Sequence, residues 1–419
     1  MPTSRIQNLL CPTHERVVPK EATWRSSLQN AVRFYRCFLV LVCFGSLASL
    51  ASGACIVNGS TLQQAEQENE ATVSDEVKTD AEQDASTDAD SEEETASDVD
   101  ASEEGVRARL VIDGLNNPSG IAIQPETGVV FVADSGNQRI IKLVDGKSVE
   151  AITEFPGDVY GKGPKLNIGP LGLFFLSKTK LIVGGGGLPD GEELLRIYDL
   201  PEDGKAIKAE QMTSSFSLSA SDEVVGEGNF YAVTATPNGI YVTCNGDDEK
   251  GWVSKATMDE EAVVGYSRFL ATKEATGVNA PVGITISPDG YLVVGQMGAI
   301  NVAGDSLLTF YDENTKEMLL NLKTGLNDIS AVAYSRRRQM YVLDYSWADP
   351  NQGGLFRIVE DLENASGMKA EKLVSLDKPT AMAFDSNGDL YITIVGEQSD
   401  ENEGNSVGQL LVITKETGL

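Results

Sequence analysis

A chain of 419 residues with a formal net charge of −30 is long enough for two or three domains. A field of that sign repels nucleic acid and anionic lipid headgroups, so the basic stripe of a nucleic-acid binder is excluded. The single histidine, His14, lies in a segment read below as an export leader; its removal would leave none, which excludes Ser-His and Cys-His nucleophile pairs and imidazole-bound zinc and leaves Asp, Glu, Lys and Tyr as acids or bases.

The first 59 residues carry a net charge of +4. Residues 37–54 form an uncharged apolar run behind Arg33 and Arg36 that ends in small residues, the pattern of a secretory signal. Its 18 residues also meet the lower limit for crossing a bilayer, so an uncleaved anchor is a second reading. A third comes from Ala54-Cys55 after Ser52 and Gly53, which resembles a relaxed lipoprotein processing box with Cys55 lipidated, although Ser52 stands where Leu is usual. All three readings place the protein outside the cytoplasm, in the periplasm or at the cell surface, and two tether it to a membrane through residues 1–55. Of the five cysteines, only Cys244 falls in the region expected to fold, where it is expected to be a small buried hydrophobe.

Residues 60–104 hold 17 Asp or Glu against Lys78 alone and no aromatic residue. Such a segment cannot bury enough apolar surface to offset its ordering entropy, and 56–105 is expected to be a disordered acidic linker. Like charges extend it, so about fifty residues separate the folded domain from its tether by on the order of 40 Å or more. Calcium adsorption and recognition by a basic partner are the other uses open to it.

From residue 106 onward one unit recurs six times: a small residue in a short apolar strand, a tight turn, then a second apolar strand. The small residues are Gly120, Gly172, Ala232, Gly283, Ala331 and Ala381, separated by 52, 60, 51, 48 and 50. A period in that range with strand-type alternation predicts an all-β, six-bladed β-propeller over 106–419. Pro125-Glu126-Thr127-Gly128, Thr236-Pro237-Asn238-Gly239, Ser287-Pro288-Asp289-Gly290 and Asp385-Ser386-Asn387-Gly388 supply the residues that tight reversals need. The second and fifth units, with Ser177-Lys178-Thr179-Lys180 and Ser335-Arg336-Arg337-Arg338, lack them. The small residue is expected to line the central channel, where neighbouring backbones converge. The last blade lacks an outer strand after 409–414, and 107–112 is the spare strand predicted to pair there and close the ring.

The first unit, with its turn Asp134-Ser135-Gly136-Asn137, resembles an NHL repeat, and the six units together resemble the SMP-30/gluconolactonase-like propellers. The resemblance implies a divalent metal held by Glu, Asn and Asp at the channel mouth, at positions just before each small residue. Here those positions are Ser119, Leu171, Tyr231, Val282, Ser330 and Thr380, none a carboxylate or an amide. A hard cation needs several oxygen ligands, so no metal and no cofactor is assigned at this ring; besides the linker, calcium could touch the acidic turn Asp247-Asp248-Glu249, which is read first as a solvated turn. Gly184-Gly185-Gly186-Gly187 precedes a strand and not a helix, and is read as a flexible loop.

Long, uneven loops between second and third strands suggest a face built to contact something. Asp134, Tyr231, Asn245, Gln296, Asp344, Tyr345 and Trp347 are the binding candidates on that face, and no catalytic residue is assigned. The expected function is a monomeric, exported, membrane-tethered propeller that binds a protein or glycan partner without catalysis. A gluconolactonase-like hydrolase with a degenerate metal site is the alternative.

Overall fold

Six sheets stand around one axis, each beginning with a strand that lines the channel: Pro118–Ile123, Pro170–Phe175, Val233–Thr236, Pro281–Ile286, Ile329–Tyr334 and Pro379–Phe384. Each inner strand packs against the next, and the sixth packs against the first, so the ring is closed. This computed structural model describes residues 106–419 apart from 162–164, 247–248, 261, 364–365, 399–402 and 418. The leader with Cys55, the acidic linker, and Asp247 and Asp248 lie outside the described residues.

Closure follows the expected route. Arg109–Leu115 is the outer strand of blade six, antiparallel to Ser406–Ile413 with Arg109 opposite Val412 and Leu115 opposite Gly408. Two features were not foreseen. Blade one gains a fifth strand, Ile207–Lys208, which arrives from blade two and runs parallel to Lys147–Thr153. Between blades one and two the chain also forms a separate hairpin of Asp158–Tyr160 with Leu166–Ile168.

The cores lie between blades. Phe131 of blade one meets Phe175 of blade two edge to face at 5.0 Å, and Tyr341 of blade five meets Phe384 of blade six at 5.5 Å. Such pairs contribute about 0.5–1.5 kcal/mol beyond their buried area. Cys244 is fully buried, donates to Ser254 Oγ at 3.2 Å, and has its thiol pKa pushed up to about 12 by burial. It is inert at neutral pH.

All six small residues line a narrow axial space of about 90 Å³. The reason is backbone crowding. A Cβ at Gly120 would strike the carbonyl oxygen of Leu171 in blade two, and one at Gly172 would lie 2.8 Å from the carbonyl oxygen of Tyr231 in blade three. The loop expected to be flexible at Gly184–Gly187 is instead packed: all four are buried, with Gly184 against Phe230 and Gly187 against the Pro156 carbonyl. At the turn of blade five, which lacks glycine, Arg338 takes the left-handed backbone at φ 65°.

Two outcomes are expected. A chain starting at Asn116 exposes the edge of Ser406–Ile413 and loses the single cooperative melt of the full domain in calorimetry. Gly120→Ala forces two backbones apart and lowers stability by about 1–3 kcal/mol in urea titration.

Candidate functional site

The inner strands share a local irregularity that builds the site. In blades one, four, five and six the ladder skips one residue just before the small one: Pro118 pairs with Asp134 and Gly120 with Ala133, which leaves Ser119 as the extra residue. Val282, Ser330 and Thr380 are the equivalent extra residues. A bulge re-aims its side chain, and all four line a cavity of about 460 Å³ at the mouth of the channel.

Three of these bulged residues carry hydroxyls that bind the ring together. Ser119 Oγ donates to the Pro170 carbonyl of blade two at 3.1 Å, Ser330 Oγ to Pro379 of blade six at 2.6 Å, and Thr380 Oγ1 to Pro118 of blade one at 2.6 Å. In each case the acceptor opens the next inner strand. Each hydroxyl proton is thus committed to a neighbouring blade.

The rest of the wall comes from loops. Tyr160 rises from the inserted hairpin, and its hydroxyl is hydrogen-bonded to that of Tyr231, whose pKa is raised by burial and by the neighbouring phenols. Tyr231 therefore stays protonated at neutral pH. Tyr345 and Trp347 stack at 5.1 Å with 24° between their planes, while Met297 and Ile300 come from the loop of blade four. Among the described residues that line it, none is charged.

The structure divides the seven binding candidates into two groups. Tyr231, Asn245, Tyr345 and Trp347 line the cavity. Asp134, Gln296 and Asp344 are buried at the ends of second strands and hold the segment that enters their own blade. Asp134 Oδ1 accepts from Asn116 N at 2.8 Å while its other oxygen accepts from Arg139. Asp344 accepts from the amides of Asn327, Asp328 and Ser346, and Gln296 donates to the Val278 carbonyl at 2.6 Å. These side chains position loops around the cavity. Leu171, the ring position of blade two, is buried in the apolar cluster behind Tyr345.

Sequence reasoning missed Tyr160, Met297, Ile300 and Asp328. Asp328 is 2% exposed and its Oδ2 accepts from the Trp347 amide at 2.6 Å, so it fixes the aromatic wall from behind. Its Oδ1 is buried without a hydrogen-bond partner among the described residues. Burial, with Asp344 and Asp305 nearby, raises its pKa to about 6.

The metal that the resemblance implies does not fit this rim. Two ring positions are apolar, the hydroxyls of three others are donors to carbonyls, and among the described residues no three His, Cys, Asp or Glu side chains come together.

Asp328 makes stability depend on pH with a definite sign. Its folded pKa lies above the unfolded value of 3.8, so the folded state takes up the proton more tightly, and the ionised group destabilises above about pH 6. That penalty is relieved as pH falls through about 6 toward 4. Asp328→Asn is therefore expected to raise the melting temperature at pH 8, with the difference from the parent shrinking steadily by pH 4.5. A constant difference across that range contradicts the assignment.

No protein-family profile matches the chain, and no curated protein matches it in sequence. Solved structures do match in shape. A luciferin-regenerating enzyme aligns with a TM-score of 0.50 at 11% identity, over 74% of this chain and 95% of its own. A gluconolactonase candidate aligns at 0.47 and 14%, over 74% and 92%. A calcium-binding regucalcin of Agrobacterium tumefaciens aligns at 0.46 and 13%, over 74% and 95%. Identities at this level speak for the fold, and the chain is a six-bladed propeller similar to these.

Proposed function

We propose that the protein takes a small, uncharged, partly apolar ring compound into the channel mouth. One observation carries this reading: a concave space of about 460 Å³ walled by Tyr231, Val282, Met297, Ile300 and Trp347, with no charged side chain on its lining among the described residues. Its size falls within the roughly 300–1,000 Å³ of small-ligand pockets, and such walls favour rings over ions. An exported domain held at a membrane by its N-terminal segment would meet such compounds outside the cytoplasm.

A hydrolase reading has support of its own. The Tyr160–Tyr231 pair places two phenols on the cavity wall, with Tyr231 held protonated by burial, and neutral donors held in a dry site stabilise charge developing on a carbonyl oxygen. The likeness to a luciferin-regenerating enzyme and to a gluconolactonase candidate agrees with lactones or esters as the compounds acted upon. Binding to a protein or glycan partner without turnover is the contrasting reading, and it would use the same loop face.

The test is a titration with dihydrocoumarin, γ- and δ-lactones and 2-naphthyl acetate, followed by Trp347 fluorescence and, for turnover, by acid release in a pH-stat. A saturable fluorescence change is expected, lost in Trp347→Phe and weakened at least about tenfold in Val282→Glu, which buries a charge in the cavity. Acid release above the uncatalysed rate assigns hydrolysis, and saturation without release assigns binding alone. Absence of saturation with every compound overturns the reading.

A further inference from the structure

A second space of about 370 Å³ adjoins the channel mouth, between the inserted hairpin and the loops of blades two and three. Tyr160, Gly161 and Asn245 line both. Their characters are opposite. The channel mouth is aromatic and aliphatic, whereas the adjoining space is faced by Asp158, Asp190, Asn229 and Asn245.

The two amides carry the argument. Asn229 and Asn245 are half-buried, and neither side chain has a hydrogen-bond partner among the described residues. Glu193 nearby is committed by contrast: it accepts from the amides of Leu188 and Leu194. A primary amide offers two donors and an acceptor oxygen, and here two of them face a concave surface unused. Asn229 also holds a left-handed backbone at φ 48°.

The mixture selects the ligand chemistry. An anion is opposed by Asp158 and Asp190, and a cation would use only the oxygens of this lining and leave the N–H donors of both amides unmatched. Hydroxyl groups give and accept hydrogen bonds at once, so they satisfy amides and carboxylates together. We propose that this second cavity holds a hydroxyl-rich, saccharide-like group of the same molecule whose apolar ring fills the channel mouth, which makes the ligand a glycosylated apolar compound. The inference rests on the channel-mouth reading and adds the polar half of the ligand to it. Tyr160, at the boundary, lies where the two halves join.

The experiment is calorimetric titration of the full chain with 2-naphthol and with its glucoside, galactoside, mannoside and N-acetylglucosaminide. At least one glycoside is expected to bind about tenfold more tightly than 2-naphthol, the gain of one or two net hydrogen bonds. Asn229→Gly removes the amide and suits the left-handed backbone; with an unchanged melting temperature, it is expected to bring that glycoside down to the affinity of 2-naphthol. Equal binding of 2-naphthol and all four glycosides overturns this proposal and leaves the channel-mouth reading standing. Binding of neither overturns both. Tighter binding of 2-naphthylmethylamine than of every glycoside also overturns it, because the cavity would then belong to a cation.

Discussion

The structure depends on how closely neighbouring inner strands approach at the axis. At Gly120 the next blade's Leu171 carbonyl already occupies the place a Cβ would need, and Gly172 meets Tyr231 in the same way. That contact forces a nearly absent side chain at one position per blade. In four blades it is coupled to the residue before, which drops out of the ladder and turns toward the mouth. Packing at the axis therefore dictates which side chains the site presents.

The same geometry decides the electrostatics of the rim. Because the blades meet so closely, the hydroxyls of Ser119, Ser330 and Thr380 reach the carbonyls of Pro170, Pro379 and Pro118 and give up their protons there. A rim stapled in this way is held rigid by its own polar groups. What remains to face a ligand is hydroxyl lone pairs, Val282, and the side chains delivered by loops, among them Met297, Ile300, Asn245 and the aromatics. A propeller with carboxylates at these positions would trade part of that stapling for cation binding.

The blade count and ring closure were legible because strand alternation and the need for a small axial residue both act at every repeat. Less legible was the bulge, although proline stands two residues before the small residue in four repeats, at Pro118, Pro170, Pro281 and Pro379. Proline opens the inner strand, where no ladder donor is lost. Asp134 and Asp344 illustrate the opposite failure. Acidic residues at loop starts suggest a binding surface, yet entering loops arrive with unpaired N–H groups, and buried carboxylates at the strand ends accept them. Tyr160 and Asp190 could not be placed, since the hairpin that carries the first and the fold-back that brings the second beside Gly246 leave no periodic signal. Gly184–Gly187 misled for a related reason: glycine runs mark close packing as readily as freedom.

Charge supplies the remaining constraint on what can bind. Residues 105–419 carry a net charge of −18, yet among the described residues no charged side chain lines the channel mouth, and Asp328, the carboxylate bonded to the Trp347 amide, is buried with one oxygen unpaired. An acidic surface around a neutral cavity turns away anions before they arrive, and among the described lining residues no carboxylate waits for a cation inside. The burial of Asp328 is costly, and it holds the Trp347 amide where the indole stacks on Tyr345. A site that keeps a destabilising carboxylate to fix an aromatic face is organised around contact with a ring, which is why recognition of polar groups falls to the amides on the far side of Tyr160.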